Sequence, residues 1–190
     1  MLPRRTVSLS IDIGVAVIGA GPLGRRLALA AARAGYRVVL EDVMPSNLRH
    51  AQESLREQLG AESMPLVTFM SSIEDAVRQA DLVLDCVPDE LESKLEIFCL
   101  LDRMAPPRTV LASPTTHLSI ADLASCTYRP SQCIGIAVRA NQLDGSGPVE
   151  IPIRVTSQTS AEAEALVVGF WRELGYQPMV ELDAQEKLLR

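Results

Sequence analysis

Apolar and polar positions follow two rhythms along this chain. Short runs rich in Val, Ile and Leu read as strands: VAVI (15–18), RVVLED (37–42), LVTF (66–69), LVLDCV (82–87), TVLAS (109–113) and QCIGIAV (132–138). LVLDCV is apolar almost throughout, as a strand buried on both faces should be. Between these runs the apolar residues take helical spacing. The helices expected are Pro22 to Ala34, closed by Gly35, and one capped by Ser46 that runs to about Leu59 with Leu48, Leu55 and Leu59 along one side. Others cover 72–79, then 89–103 after Pro88 stops the preceding strand, and a short stretch at 119–124. Past a Gly/Pro loop the pattern predicts a strand near 149–156, a helix at 160–174 and a last strand near 177–181.

Strands separated by helices predict an α/β fold of Rossmann type, a doubly wound, mostly parallel sheet with helices on both faces and right-handed crossovers. A single domain is expected over residues 14–183, with an N-terminal arm at 1–13 and a C-terminal tail at 184–190. Ligands of such a sheet bind at the carboxyl ends of the strands, near the switch point.

Composition narrows the classes. The 190 residues are enough for a real core, and 47% hydrophobic with 22% charged residues is ordinary for a soluble globular protein. Aromatics are only 4%, so the core is expected to rest on aliphatic side chains. A net charge of −6 disfavours phosphate backbones, so no nucleic-acid partner is expected. Cys86, Cys99, Cys126 and Cys133 show neither C-x-x-C spacing nor a companion His cluster, so no metal site is expected. Cys86 reads as a reduced core thiol, which fits a cytoplasmic location. The opening MLPRRTVSLSIDIG has a basic pair and a mildly apolar segment, but Asp12 interrupts it and the VAVI strand follows rather than a cleavage site, unlike a signal peptide. No run approaches the ~20 apolar residues that span a bilayer, so no membrane partner is expected.

The first strand runs into Gly19-Ala20-Gly21-Pro22-Leu23-Gly24, a G-x-G-x-x-G loop with a strand before it and a helix after it. Gly19 permits the tight turn, Gly21 the approach of a pyrophosphate, and Gly24 close packing of helix on strand. The helix N-terminus offers unpaired N–H groups and the positive end of a dipole. Asp42, 23 residues after Gly19, can accept hydrogen bonds from an adenosine ribose. It would repel a 2′-phosphate, and Glu41 beside it should add to that repulsion, so NAD is favoured over NADP. Arg49, the nearest downstream basic residue, falls on a helix and reads as solvated. The plainer alternative is a simple glycine turn with Asp42 capping the next segment.

Four stretches together resemble the NAD-binding domain of the 3-hydroxyacyl-CoA dehydrogenases: "VAVIGAGPLGRRLALAAARAGYRVVLEDV", "DLVLDCVPDELESKLEIF", "VLASPTTHLSIADLA" and "RPSQCIGIAV". The match is thinner through "GPVEIPIRVTSQTSAEAEALVVGFWRELGYQP". The resemblance implies NAD as cofactor and an acyl-CoA or hydroxy acid as small-molecule substrate. By position, Asp42 would hold the adenosine ribose. Asp89 stands where the family has a glutamate near the nicotinamide ribose, and Lys94 would reach the same region. Ser113 and Thr116 fall in the family's Ser-Asn-Thr-Ser segment, with Thr116 at its substrate-orienting serine and Pro114 at its asparagine.

The resemblance breaks at residues 134–142, IGIAVRANQ. The family has Gly-Leu-His-Phe-Phe-Asn-Pro there, and its histidine takes the proton from the 3-hydroxyl. Ala137 stands at the histidine and Ala140 at the asparagine, with Asn141 one place late. Glu150, also one place late, matches the glutamate that orients the histidine. From Ile134 to Ala140 no side chain can serve in proton transfer except the permanently charged Arg139. The family's CoA-holding helical hairpin should fall between about 46 and 66, where one helix fits. "AQEKLLR" replaces the link into the family's helical domain, so that domain is expected to be absent, and a homo-oligomer or a partner chain is expected to cover the apolar surface it would have hidden.

His50 and His117 are the two histidines. His50 falls on a helix near the adenosine end and reads as solvated. His117 follows Thr116 in the loop after the fifth strand. A histidine there could serve as a relocated general base, or it could cap the next helix or face solvent. Three functions stay open: an NAD(H)-binding protein that has lost the base; an NAD-dependent oxidoreductase acting on a 3-hydroxyacyl-CoA or related hydroxy acid through His117 or a partner chain; and an unrelated Rossmann reductase of imines or 2-hydroxy acids.

Overall fold

The computed structural model describes residues 13–144 and 149–183; the expected arm and tail, and the middle of the Gly/Pro loop, lie outside them apart from Ile13. The strands are β1 (Gly14–Ile18), β2 (Arg37–Glu41), β3 (Val67–Met70), β4 (Leu82–Asp85), β5 (Val110–Pro114), β6 (Cys133–Ile136), β7 (Glu150–Val155) and β8 (Gln177–Leu182). The helices are α1 (Pro22–Arg33), α2 (Pro45–Gln58), α3 (Ile73–Val77), α4 (Leu91–Met104), α5 (Ile120–Ser125) and α6 (Ala161–Glu173). The sheet order is β3-β2-β1-β4-β5-β6-β7-β8. Neighbours are parallel except β6 and β7, which are antiparallel. The chain order reverses between β1 and β4, which is the switch point.

β1 shows why the sheet is buried on both faces. Val15 and Val17 pack into one core cluster with Leu27, Leu40 and Leu55, while Ala16 and Ile18 pack into the other with Phe98, Leu101 and Leu111. Successive strand residues point to opposite faces, so a strand between two helix layers must be apolar at every position. Aromatics do more than their number suggests. Tyr36, Phe170, Trp171 and Tyr176 form a chain of ring contacts, with centroids 5.1, 5.9 and 5.4 Å apart, that ties α6 to the start of β2.

Two local expectations need correction. Ser46 does not cap α2: Met44 holds the N-cap position and Pro45 the first helical one. Proline suits that position because its missing N–H has no partner there anyway. No side chain caps α2; Asp42 Oδ1 instead accepts the N–H of Met44, just ahead of the first turn, at 2.8 Å. β4 ends at Asp85, three residues before Pro88, although the Cys86 N–H still donates to the Ile18 carbonyl at 2.8 Å.

Candidate functional site

The glycine loop sits at the carboxyl end of β1, and its glycines have three different physical jobs. Gly19 has φ +101°, and a Cβ there would lie 2.9 Å from the Cys86 carbonyl oxygen. Its N–H donates to the Glu41 carbonyl at 2.8 Å, tying the turn to β2. At Gly24 a Cβ would lie 1.9 Å from the Gly19 carbonyl oxygen, so α1 could not pack this close to the loop with any other residue. At Gly21 nothing lies within 4 Å of the Cβ position. That open space faces the start of α1, which no side chain caps and which has no acidic residue in its first turn. An anion can therefore approach the backbone here.

Asp42 fixes the loop from the other side. Its Oδ2 accepts the Ala20 N–H at 2.8 Å, its Oδ1 accepts the Met44 N–H at 2.8 Å, and Asn47 Nδ2 reaches both oxygens at 3.1 Å. A carboxylate offers about four acceptor sites, so this one is saturated. A ribose hydroxyl must exchange with Asn47, the sole side-chain donor of the set. Asn47 was not visible as a site residue in the sequence; its place two residues into α2, five after Asp42, was the available signal.

Two cavities flank Gly21. One, of about 520 Å³, lies on the β2 side and is bounded by Glu41, Asp42, Val43, Ile73, Pro88 and Ile97. The other, of about 280 Å³, lies towards β5 and β6 and is bounded by Leu23, Asp89, Pro114, Thr116 and Arg139. Gly21, Pro22, Cys86 and Val87 line both. One elongated ligand can therefore cross the switch point over Gly21, with a half in each cavity. Cys86, expected in the core, is instead half-buried between them, and burial pushes its thiol up so that it stays neutral. A larger cavity of about 750 Å³ runs beside edge strand β3 and touches none of the glycine loop.

The sequence-predicted residues divide into three groups. Asp89, Thr116 and His117 come together at the smaller cavity. His117 Nδ1 lies 3.2 Å from Asp89 Oδ2, both partly exposed. Arg139 Nη2 lies 3.5 Å from Thr116 Oγ1. Lys94 and Ser113 lie beneath that cavity rather than in it. Both are fully buried, Lys94 Nζ donating to Asp85 Oδ2 at 3.0 Å and Ser113 Oγ donating to the same oxygen at 3.0 Å. Lys94 thus does not reach outward as its position on the helix suggests. Burial pushes the Asp85 carboxyl up, while Lys94, Ser113 and the Val87 N–H pull it back.

Glu150 and Asn141 form the third group. Glu150 is exposed at the first residue of β7, outside the cavity lining, while Val149 before it packs against the core. One place late on a strand means the opposite face. Asn141 is exposed in the 3₁₀ turn Ala140–Asp144 and likewise outside the lining, of which Ala140 is the last residue. Ala137 follows β6 and donates its N–H to Pro152 O at 2.9 Å.

The loop bearing Thr116 and His117 is pinned by residues that no motif announced. Thr115 Oγ1 accepts the Leu118 N–H at 3.1 Å. Arg154, buried on β7, donates to the Thr115 and Leu118 carbonyls. Asp183 Oδ2 accepts from Ser119 Oγ, Ile120 N and Ala121 N at 2.9, 2.8 and 3.2 Å, closing the start of α5.

Residues 14–184 match the family model described as the 3-hydroxyacyl-CoA dehydrogenase, NAD binding domain. The chain belongs to this family. A probable 3-hydroxybutyryl-CoA dehydrogenase of Bacillus subtilis is 32% identical over 135 residues, 64% of this chain and 47% of that protein. The mitochondrial hydroxyacyl-coenzyme A dehydrogenase of Sus scrofa is 29% identical over 184 residues, covering 87% of this chain and 57% of its own length. Among solved structures, the 3-hydroxyacyl-CoA dehydrogenase of Archaeoglobus fulgidus superposes with a TM-score of 0.76 at 29% identity, covering 93% of this chain and 60% of that one. The chain spans about half the length of the curated relatives it matches. NAD is the family's cofactor, and the glycine loop, Asp42 and the paired cavities fit a dinucleotide. Among the described residues no helix is long and apolar enough to cross a membrane.

Proposed function

We propose that this chain holds NAD(H) across Gly21 and does not by itself oxidise 3-hydroxyacyl-CoA at an enzymatic rate. The observation that carries the first half is the pair of cavities joined at Gly21 over the β1–β4 switch point. The adenosine half belongs on the Asp42 side and the nicotinamide half beside Asp89 and Thr116. When bound, NAD⁺ supplies the hydride acceptor. Removing hydride from a carbinol carbon also needs a base within about 2.6–3.2 Å of the hydroxyl. Ala137, at the position the resemblance gives to the family's histidine, has no such group, and Glu150 is outside the cavity. Titration of NADH and NADPH by calorimetry, beside NADH formation from 3-hydroxybutyryl-CoA, tests both halves. Absence of NADH binding overturns the first, and robust turnover overturns the second.

One observation favours a second reading, an active oxidoreductase with a moved base. His117 pairs with Asp89 at 3.2 Å on the rim of the smaller cavity, next to the Thr116 hydroxyl. A carboxylate on one ring nitrogen orients an imidazole and leaves the other nitrogen to accept a proton. On this reading Thr116 orients the substrate hydroxyl, His117 takes its proton, and Asp89 holds the ring.

A further inference from the structure

β2 ends in two adjacent carboxyl groups with opposite surroundings. Asp42 turns to the glycine loop and is saturated with hydrogen bonds. Glu41 follows the alternation that sets Val39 against the second core cluster, so it faces the α3 and α4 side of the sheet. It is only 2% exposed, and its Oε1 is buried without a hydrogen-bond partner among the described residues. Buried polar atoms are nearly always satisfied, and leaving one unpaired costs stability. Glu41 also lines the 520 Å³ cavity, whose other walls Val43, Ile73, Val87, Pro88 and Ile97 are apolar. A slot with apolar walls and one unsatisfied carboxyl suits a flat heterocycle that carries its own donor and acceptor.

We propose that Glu41 reads the purine base of the dinucleotide, its carboxyl hydrogen-bonding the adenine ring edge in this cavity. The inference rests on the NAD(H) reading above. A carboxylic acid presents one donor and one acceptor side by side. Adenine presents the complement, a 6-amino donor beside a ring-nitrogen acceptor. The ionised carboxylate offers two acceptors, of which that edge can answer one. The protonated form is therefore the one that fits. Burial, and next the charge of Asp42, push the Glu41 carboxyl up to about 7, so the acid form is accessible at neutral pH. Among the described residues the other titratable groups lining the cavity are Asp42 and the neutral Cys86 thiol, and no basic side chain is among them. A base that pairs with the acid form holds its proton, so binding above pH 7 should take a proton up.

ADP-ribose isolates this half of the ligand, because it carries the adenine and lacks the nicotinamide that would face His117. Calorimetry at pH 7.5–8 in buffers of different ionisation enthalpy counts the protons exchanged on binding. The native chain should take up a substantial fraction of one proton per ADP-ribose. Glu41→Gln should keep most of the affinity, since an amide also pairs a donor and an acceptor, and should lose the proton uptake. Glu41→Val should weaken ADP-ribose on the order of tenfold. ADP-ribose and NADH that bind the native chain with no proton uptake, or an affinity unchanged in Glu41→Val, overturn this inference alone. A native chain that binds neither overturns it together with the cofactor reading. A Glu41→Val chain that fails to fold leaves the native proton count and the Gln variant to decide.

Discussion

His117 Nδ1 lies 3.2 Å from Asp89 Oδ2 across the rim of the cavity that Thr116 and Arg139 also line. No other imidazole of the chain is near this edge, since His50 lies on α2. The proposed reading expects NADH formation from 3-hydroxybutyryl-CoA at background level, unchanged in His117→Ala and little raised in Ala137→His. General-base catalysis contributes about 10²–10⁴-fold. Turnover that falls by about 10²-fold or more in His117→Ala, and partly in Asp89→Asn, would make the moved-base reading the correct one. Initial rates with each variant decide it.

Two glycines of one loop should fail in different ways. Gly24→Ala drives a methyl to 1.9 Å from the Gly19 carbonyl oxygen, and neither backbone can yield without moving α1. We expect a loss of about 1–3 kcal/mol, read as a lower melting temperature. Gly21→Val meets open space, so the fold should melt close to the native temperature while NADH binding is lost. Thermal melts beside NADH titrations separate the two. Intact NADH binding in Gly21→Val would remove the pyrophosphate from this position.

The preference for NADH over NADPH should rest on Asp42 alone. Glu41 adds little to the repulsion of a 2′-phosphate, because it is buried and its carboxyl is pushed up to about 7. A 2′-phosphate would have to displace Asn47 and face the Asp42 charge. We expect NADH to bind at least about tenfold more tightly, with the ratio preserved in Glu41→Gln and reduced in Asp42→Asn. Calorimetric titration of both cofactors measures the ratio directly.

What the sequence could and could not reveal divides along physical lines. Strand identity was legible because a doubly covered sheet forces apolar residues along β1 and along β4 up to Asp85, its last residue. The glycine loop was legible because Gly19 and Gly24 answer local steric demands. The reach of Lys94 was not. Its place by resemblance puts the amine near the nicotinamide ribose, and only the fold shows Lys94 and Ser113 converging on Asp85 at the end of β4. Arg154 and Asp183 were invisible for the same reason: they act on the 115–121 loop from 36 or more residues away, across a sheet whose neighbours no local pattern specifies.

Lys94 and Asp85 form a fully buried ion pair at 3.0 Å, next in the chain to the Cys86 and Val87 walls of the smaller cavity. Such a pair adds little net stability, but removing one partner strands the other charge. Lys94→Met should therefore destabilise the chain by about 3–5 kcal/mol, and Lys94→Met with Asp85→Leu should recover much of that loss. Chemical denaturation of the two variants gives both numbers. A Lys94→Met chain as stable as the native one would mean that Asp85 is already neutral.

The pH dependence of stability tests the protonation state on which base recognition depends. Burial and the Asp42 charge raise the Glu41 carboxyl from 4.5 to about 7 in the folded chain. Between those values the unfolded chain has released the proton and the folded chain still holds it. Raising the pH through this window therefore favours unfolding, with the loss complete once the pH passes about 7. A shift of this size is worth about 3 kcal/mol across the window. Groups common to the native chain and Glu41→Gln cancel in the difference. The native chain's stability relative to Glu41→Gln should thus fall steadily from pH 5 to 7 and level off above. Saturating ADP-ribose should extend that fall to higher pH, because the bound base holds the proton. A difference that stays constant from pH 5 to 8 would mean that Glu41 is ionised throughout, which removes the acid form that the adenine edge requires.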